Sequence, residues 1–151
     1  MADDRTVSLE ILTYCAEEVE RQGDGPLEVV YLVTAWLQAM EQRQLNTATL
    51  TLDRIISWAK MIEPDANRHG LRTCAVRVGT RLCPDWQDVP RLLKAFVERM
   101  PPEPEKAYLE FEMIHPFRDG NGRTGKLLYN WLRDSLDHPV MPPNFFGCAN
   151  P

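Results

Sequence analysis

HPFRDGNGRTGKLL, residues 115–128, decides the fold of this chain, because its glycines and cations fit two different phosphate-binding motifs. In one interpretation, Gly120 begins a P-loop, since Gly125 and Lys126 follow it after four residues. In the other, the same glycines form a phosphate-binding turn that a histidine precedes. The two interpretations require different structures on either side of the stretch.

The P-loop requires features that the flanking sequence lacks. Its motif continues with Ser or Thr, whose hydroxyl ligates magnesium, and a buried strand leads into it. Leu127 stands at the hydroxyl position, and the preceding residues 105–114 have helical spacing and are followed closely by Pro116. The sequence therefore strongly disfavours a P-loop.

The second interpretation begins at His115. Because Pro116 ends the preceding helix, His115 lies at the helix end or in the next loop, exposed but firmly placed, and Phe117 can anchor that loop in the core. Asp119 comes four residues later. The glycines of residues 120–122 permit positive φ angles that point several backbone N–H groups at one spot, and the N-terminus of the next helix adds its partial positive charge. Such a turn binds phosphate.

Two cations lie in the first turn of that next helix. Arg123 and Lys126 are three residues apart, so we expect them on one side of the helix, where both reach a polyphosphate. Cations at a helix N-terminus oppose the macrodipole, so the pattern favours an anionic ligand. The alternative is a glycine turn with two solvated basic residues.

Composition restricts the remaining classes of function. A chain of 151 residues with 44% hydrophobic and 26% charged residues is typical of one globular domain. Its net charge of −5 argues against nucleic-acid and anionic-membrane partners. No apolar run approaches the ~20 residues of a membrane span, so we expect a cytoplasmic protein. The cysteines show no metal-binding spacing, and we expect free, mostly buried thiols at Cys15, Cys74, Cys83 and Cys148.

Helical periodicity dominates the chain and predicts an all-α fold of about six helices. Apolar residues recur at i, i+3, i+4 and i+7, most clearly over residues 87–100. Residues 26–43 are apolar more widely around the helix, which predicts a central buried helix. The expected helices cover residues 7–21, 26–43, 52–62, 87–100, 104–114 and 122–136.

One segment departs from the helical pattern. Residues 71–79, LRTCAVRVG, alternate in polarity, and a second short run follows Gly79 at residues 81–83. This pattern predicts a small β-hairpin at the surface, with an irregular connection as the alternative.

The stretch HPFRDGNGR, residues 115–123, resembles the signature of the Fic/Doc family, H-P-F-x-[D/E]-G-N-G-R-x-x-R, and matches every fixed position but the last. The helices on either side of it, and the hairpin with the helix that follows, are similar to the corresponding parts of that family. The resemblance covers about residues 27–135. It implies a single Fic-fold domain over residues 1–151, with its motif core at 104–136 and a target-binding flap at 71–83.

The resemblance also implies an activity, the transfer of AMP from ATP to a hydroxyl side chain of a target protein with release of pyrophosphate. His115 would take the proton of the attacking hydroxyl, and Asp119 would hold the Mg²⁺ that bridges the α- and β-phosphates. The target would pair with the flap edge. The implied catalytic residues are His115, Asn121 and Arg123, the ATP-binding residues are Gly120, Asn121, Gly122, Arg123 and Lys126, and the metal ligand is Asp119.

Two departures from the family pattern leave alternatives open. Lys126 stands where the family has a second arginine that contacts the γ-phosphate, so a Doc-like kinase that transfers that phosphate is one alternative. A catalytically silent binding module is another. Many family members also carry, or borrow from an antitoxin, a helix with [S/T]-x-x-x-E-[G/N], whose glutamate pairs with that arginine. The spacing occurs at Thr6–Glu10 and Thr13–Glu17 without the last residue, so we expect any inhibitor to be a separate antitoxin.

Overall fold

The computed structural model describes residues 7–45 and 49–144 of the chain. These residues form six α-helices and one two-stranded antiparallel hairpin, which confirms the predicted all-α fold with a small hairpin. The elements are α1 (Leu9–Arg21), α2 (Pro26–Gln44), α3 (Leu52–Ile62), β1 (Arg77–Val78), β2 (Arg81–Leu82), α4 (Val89–Arg99), α5 (Pro104–Ile114) and α6 (Asn121–Arg133).

Local sequence explains where the helices begin. The Ser8 hydroxyl accepts a hydrogen bond from the N–H of Ile11 at the start of α1, and the Thr51 hydroxyl caps α3 in the same way through Arg54. Helix α2 begins at Pro26, whose missing N–H costs nothing at the first helical position. The observed ends differ from the expected ones by three residues at most.

The central helix is α6, and our expectation that residues 26–43 occupy that place was wrong. Every residue from Asn121 to Trp131 is buried, and α6 packs against α2, α3 and α5. In α2 only one face is buried, and Leu27 and Val30 point to the outside. The central position of α6 could not be predicted from its sequence pattern, because many of its buried residues are polar.

Aromatic side chains join the helices around α6. Trp58 of α3 and Trp131 of α6 lie 5.3 Å apart between ring centroids. Phe111 of α5 contacts Phe96 of α4 at 6.3 Å and Phe117 of the motif loop at 6.4 Å. The core thus extends directly beneath the loop that carries the motif.

The hairpin is shorter than expected. Arg77 pairs with Leu82 and Val78 with Arg81, and the N–H of Cys83 adds one more bond to the carbonyl of Val76. Residues 71–76 do not continue the strand, although their polarity alternates. The alternating polarity of these residues does not correspond to alternating burial, because residues 73–75 are all exposed.

The described cysteines are free thiols, but only two of the three are buried. Cys15 and Cys83 are inside, whereas Cys74 is exposed, so the expectation of burial was wrong there; Cys148 lies outside the described residues. In residues 7–45 and 49–144, no helix combines the length and apolar character needed to cross a bilayer.

Candidate active site

His115 lies at the end of α5, in a left-handed conformation with φ 50° and ψ 62°. Its N–H donates to the carbonyl of Phe111 and so closes the last helical turn. The side chain is half-buried, not exposed as expected, and its Nδ1 atom is inside the protein. The imidazole is therefore firmly placed, with limited access to solvent.

Burial and, to a smaller extent, the positive charges of Arg81 and Arg72 lower the pKa of His115 to about 4. Asp119 and the backbone of Glu112 act in the opposite direction but more weakly. At neutral pH the imidazole is consequently uncharged and has a lone pair available for a proton.

The loop after His115 is fixed by two side chains. Phe117 is fully buried and anchors the loop in the core, as the sequence predicted. The side chain of Asn121 accepts from the N–H of Phe117 and donates to its carbonyl, both at 2.8 Å. The amide of Asn121 thus holds the loop that follows His115.

A second asparagine, Asn67, holds the backbone of Asp119. Its Nδ2 donates to the carbonyl of Asp119 at 2.8 Å and to that of Ala59 at 3.0 Å, while its Oδ1 accepts from the N–H of Asp119 at 3.3 Å. The carboxylate of Asp119 remains 63% exposed at the mouth of the site. Its backbone is rigidly placed, and its oxygens remain accessible to a cation.

Gly120 allows the chain to enter α6. It has φ 73°, and a Cβ atom there would lie 3.1 Å from the side chains of Ile62 and Glu63. Both the backbone conformation and the close approach of α3 therefore require glycine. The N–H groups of residues 121–123 follow in the first turn, where an α-helix offers them no acceptor. Such a helix N-terminus is suited to an anion.

Arg123 is 2% exposed and surrounded by three carboxylates. Its Nη2 atom lies 2.7 Å from Glu63, 3.4 Å from Asp24 and 3.9 Å from Asp119. Its Nη1 atom is buried without a hydrogen-bond partner among the described residues. Burial raises the pKa of Glu63, and the adjacent Arg123 partly offsets that effect. One donor of the guanidinium is therefore unused.

Lys126 does not lie beside Arg123, contrary to the expectation that both cations reach the same anion. It is 1% exposed, and its Nζ atom bonds to Glu18 of α1 at 2.5 Å. Glu112 of α5 is buried nearby, and neither of its carboxylate oxygens has a partner within the described residues. Burial raises the pKa of Glu112 well above its usual range and so favours the neutral acid.

The glutamate that contacts Lys126 is Glu18, which is one residue later than the glutamate of the Thr13–Glu17 spacing. Glu17, of the pair Thr13–Glu17, is exposed, whereas Glu18 is fully buried. Glu10 is exposed and contacts His138, and its spacing partner Thr6 lies outside the described residues. Neither spacing therefore places its glutamate at Lys126.

The motif lines a small pocket of about 80 Å³. Typical ligand sites measure about 300–1,000 Å³, so this space fits a phosphate group and not a whole nucleotide. A wider, open groove of about 420 Å³ adjoins it through Arg118 and Asp119. The pocket is lined by Gln22, His115, Arg118, Asp119, Gly120, Asn121, Gly122 and Arg123. It brings together all the predicted site residues except Lys126.

The hairpin lies beside this site. Arg81 of β2 approaches the carbonyls of Met113 and Glu112 near the end of α5, at 3.4 and 3.5 Å. Arg72, which precedes β1, donates to the carbonyl of His115 at 2.7 Å. The predicted position of the hairpin near His115 is confirmed.

Sequence reasoning missed the residues that support the site from a distance. Asn67, Arg72, Asp24, Glu63 and Glu18 all act on the motif, and none belongs to it. Asparagine in the turn after α3 is a common backbone binder, which offers a weak local signal. Nothing local identifies the segment that it binds, since Asn67 and Asp119 are 52 residues apart.

A family model supports the assignment that the motif suggested. The model described as Fic/DOC family matches residues 49–132, which include α3, the hairpin, the motif loop and nearly all of α6. Helices α1 and α2, which supply Glu18 and the loop carrying Asp24, precede the matched range. The match spans more than half of the 151 residues, and the chain belongs to the Fic/DOC family.

Proposed function

We propose that this protein is an adenylyltransferase that moves AMP from ATP to a hydroxyl side chain of a target protein. The observation that carries the proposal is the pocket in which a neutral imidazole meets unpaired donors. His115, Arg123 and the first residues of α6 all line it, and the N–H groups of those first residues have no acceptor within the helix. This arrangement provides a base and an anion site for one reaction.

The reaction would use these groups in one displacement. The hydroxyl oxygen of the target attacks the α-phosphorus of ATP, and its proton passes to the unprotonated nitrogen of His115. The bond from the α-phosphorus to the bridging oxygen breaks, and pyrophosphate leaves with that electron pair. The negative phosphates next to His115 would raise its pKa above the value in the free protein, which strengthens the base when substrate is bound.

Asp119 suits a magnesium ion that arrives with the nucleotide. Magnesium usually takes one or two protein carboxylates and completes its shell with phosphates and water. In the described part of the chain, no group of three or more His, Cys, Asp or Glu side chains could hold a metal by itself. When bound, magnesium supplies positive charge that stabilises the leaving pyrophosphate.

Arg123 would bind phosphate oxygens in place of its present partners. Nη1 is free, and Nη2 is shared among carboxylates of which only Glu63 lies within 3 Å. A phosphate could accept from both Nη1 and Nη2 in a bidentate contact, which the present carboxylates do not make. Nucleotide binding then replaces acid–arginine contacts with phosphate–arginine contacts, at the cost of separating Arg123 from Glu63.

One observation favours the kinase alternative, in which the γ-phosphate is transferred. Lys126 is paired with Glu18 inside the protein and does not line the pocket, so it supplies no cation to a γ-phosphate in this conformation. A γ-phosphate that is held loosely could turn toward the acceptor. We rank this alternative second because the residues of the G-N-G turn line the pocket at the start of α6.

We further propose a protein target that binds along the hairpin. The two-residue strands leave backbone groups on the outer edges of the hairpin for an extended segment. The hairpin lies beside His115, so such a segment would present its hydroxyl to the base. A separate antitoxin and a cytoplasmic location remain predictions from the sequence and its resemblance.

The test uses ATP labelled at either the α- or the γ-phosphate, with magnesium and a cell lysate. We expect protein labelling from the α position with the wild type and none with His115→Ala. His69→Ala is the matched control, since His69 is an exposed histidine outside the pocket, and it should keep the wild-type labelling. Label from the γ position alone would support the kinase. No label from either position would contradict both transferases and support a silent binding module.

A further inference from the structure

Arg72 is a buried cation that bonds almost entirely to backbone carbonyls. It lies in the segment between α3 and β1 and is 3% exposed. Its guanidinium donates to the carbonyls of Pro84 at 2.6 Å, His115 at 2.7 Å and Cys74 at 3.0 Å, and more weakly to that of Ile114 at 3.4 Å. Its own N–H donates to the carbonyl of Pro116 at 3.0 Å.

These acceptors belong to two separate parts of the fold. Cys74 precedes β1 and Pro84 follows β2, so the two together form the base of the hairpin. Ile114 and His115 end α5, where the last carbonyls have no donor within the helix. A cation is favourable at that end of a helix. One side chain thus joins the base of the hairpin to the residue proposed as the catalytic base.

The backbone of His115 requires such support. A left-handed conformation is unfavourable for a residue with a Cβ atom, and it persists only where the surroundings hold it. Two bonds from Arg72 hold this peptide, one to the carbonyl of His115 and one to that of Pro116. The imidazole position depends directly on the same backbone.

We propose that Arg72 is a positioning residue that couples the hairpin to His115. A target segment that binds the hairpin shifts or stiffens the carbonyls of Cys74 and Pro84, and Arg72 transmits that change to the backbone of His115. The proposal rests on the proposed function for its role in catalysis. The mechanical link itself is independent of any activity.

Substitution of Arg72 by lysine and by methionine distinguishes the effect of its hydrogen-bond geometry from the effect of its charge. Arg72→Lys keeps the charge but loses the planar fork that reaches several acceptors at once. Arg72→Met also removes the charge, which contributes to the lowered pKa of His115. Arg91→Lys is the matched control, because Arg91 is 72% exposed on α4 and its ion pair is with Asp88, three residues earlier in the chain. Circular dichroism and urea unfolding first identify variants that keep the fold.

Hydrogen exchange tests the link without nucleotide or target. In Arg72→Lys, we expect faster exchange in peptides covering residues 73–84 and 112–118 together, with Arg91→Lys like the wild type. Faster exchange in only one of the two peptides would overturn the coupling, and so would unchanged exchange in both. Because ATP is absent, these outcomes do not depend on whether the proposed transferase activity exists.

Nuclear magnetic resonance and kinetics test the effect on His115. In folded Arg72→Met, the pKa of His115 should rise toward its ordinary value of about 6.5. In Arg72→Lys, the kcat of transfer should fall by about 10- to 100-fold with little change in the KM for ATP, as expected when a catalytic group is misplaced. An unchanged imidazole pKa and unchanged kcat in the two variants would show that Arg72 is merely structural.

Discussion

The two cations of α6 lie about one turn apart and are both almost fully buried, yet their surroundings differ. Arg123 faces the pocket, and its partners Asp24, Glu63 and Asp119 are 34%, 17% and 63% exposed. Lys126 faces the core, and its partner Glu18 is fully buried. The first set can regain water when it separates, whereas the second cannot.

This difference assigns different roles to two positions that look alike in the sequence. Arg123 can change partners at little cost, because the carboxylates that it leaves are hydrated at the surface. Separating Lys126 from Glu18 takes the buried ammonium away from its carboxylate and leaves Glu18 with only Arg21 and Gln22 among its described partners, which is unfavourable inside the protein. Arg123 therefore suits ligand binding, and Lys126 connects α1 to α6.

The largest expected effect follows from breaking the Lys126–Glu18 pair. Lys126→Met removes the buried cation from Glu18 and leaves its carboxylate with the partly exposed Arg21 at 3.0 Å and Gln22 at 3.1 Å, so we expect a loss of about 3 kcal/mol in the free energy of unfolding. Arg123→Met should cost less, about 1–2 kcal/mol, since its partners rehydrate. Urea unfolding of both variants measures the difference. Equal losses would contradict the distinction between the two cations.

A double replacement provides the control for that experiment. Glu18→Leu combined with Lys126→Met replaces the buried pair with apolar side chains, and most of the lost stability should return. If the double variant is as unstable as Lys126→Met alone, the loss comes from the cavity around residue 126 and not from removal of the buried cation.

The next largest effect is expected at Gly125, and it tests how tightly α6 is packed beside Lys126. A Cβ atom at Gly125 would lie 2.2 Å from Oε1 of Glu112 and 3.2 Å from Phe111 and Tyr108. Gly125→Ala should therefore destabilise the fold by about 1–3 kcal/mol through overpacking. Thermal unfolding measures the loss, and Glu112→Val in the same chain should recover part of it. A stable Gly125→Ala protein would show that Glu112 moves freely.

The part of the site that could be predicted from the sequence is the part that local chemistry determines. Pro116 ends α5, Phe117 anchors the loop and Gly120 turns the chain into α6, and each follows from residues next to it. The helices could be predicted for the same reason, since an apolar stripe and its caps lie within one segment.

The rest depends on pairings across the chain that no local pattern records. Glu18 and Lys126 are 108 residues apart in the chain, and no local pattern indicates their contact. The spacing of residues alone therefore predicted that Lys126 lies with Arg123. The sequence did not predict that α6 is central, because its polar residues reduce its apparent hydrophobicity although they are buried. Asn130 is an example, with bonds to the carbonyls of Lys126 and Val140.

A smaller effect is expected at the Arg123 end, in ligand binding. Glu63→Gln removes the charge that competes with phosphate for Arg123, so ATP should bind about 3- to 10-fold more tightly, a change of roughly 1 kcal/mol. Glu18→Gln should leave the affinity of the folded protein unchanged, because Lys126 does not line the pocket. Calorimetric titration with ATP and magnesium compares them.

Glu98→Gln is the control for that titration, since Glu98 is 67% exposed on α4, lies outside the pocket and forms an ion pair with Lys94. Unchanged affinity in Glu63→Gln would indicate that Glu63 does not compete with the phosphates. Tighter binding in Glu18→Gln would place Lys126 in the ligand site and contradict the comparison.

The smallest expected effect is that of pH on the transfer rate. His115 has a pKa of about 4 in the folded protein, below its ordinary value of about 6.5. The imidazole of the free protein therefore stays neutral at pH 5.5, and kcat/KM there should be within about twofold of its value at pH 7.5. A base with an ordinary pKa would lose about tenfold over that interval. The Glu63→Gln variant is the appropriate background, because titration of Glu63 would otherwise change the contacts of Arg123.

The free energy of unfolding should also depend on pH over this range. The sign of this dependence is opposite to that for a histidine that gains a negatively charged partner on folding. Because the folded pKa is lower than the unfolded one, the unfolded chain takes up the proton first as the pH falls. The contribution of His115 to stability is therefore complete above pH ~6.5 and decreases as the pH falls toward ~4. As the pH falls over this interval, the urea midpoint of the wild type should decrease relative to that of His115→Ala, since only the wild type contains the titrating imidazole. A constant difference between them would show that His115 titrates alike in both states, and the neutral base at the end of α5 would then lack its physical basis.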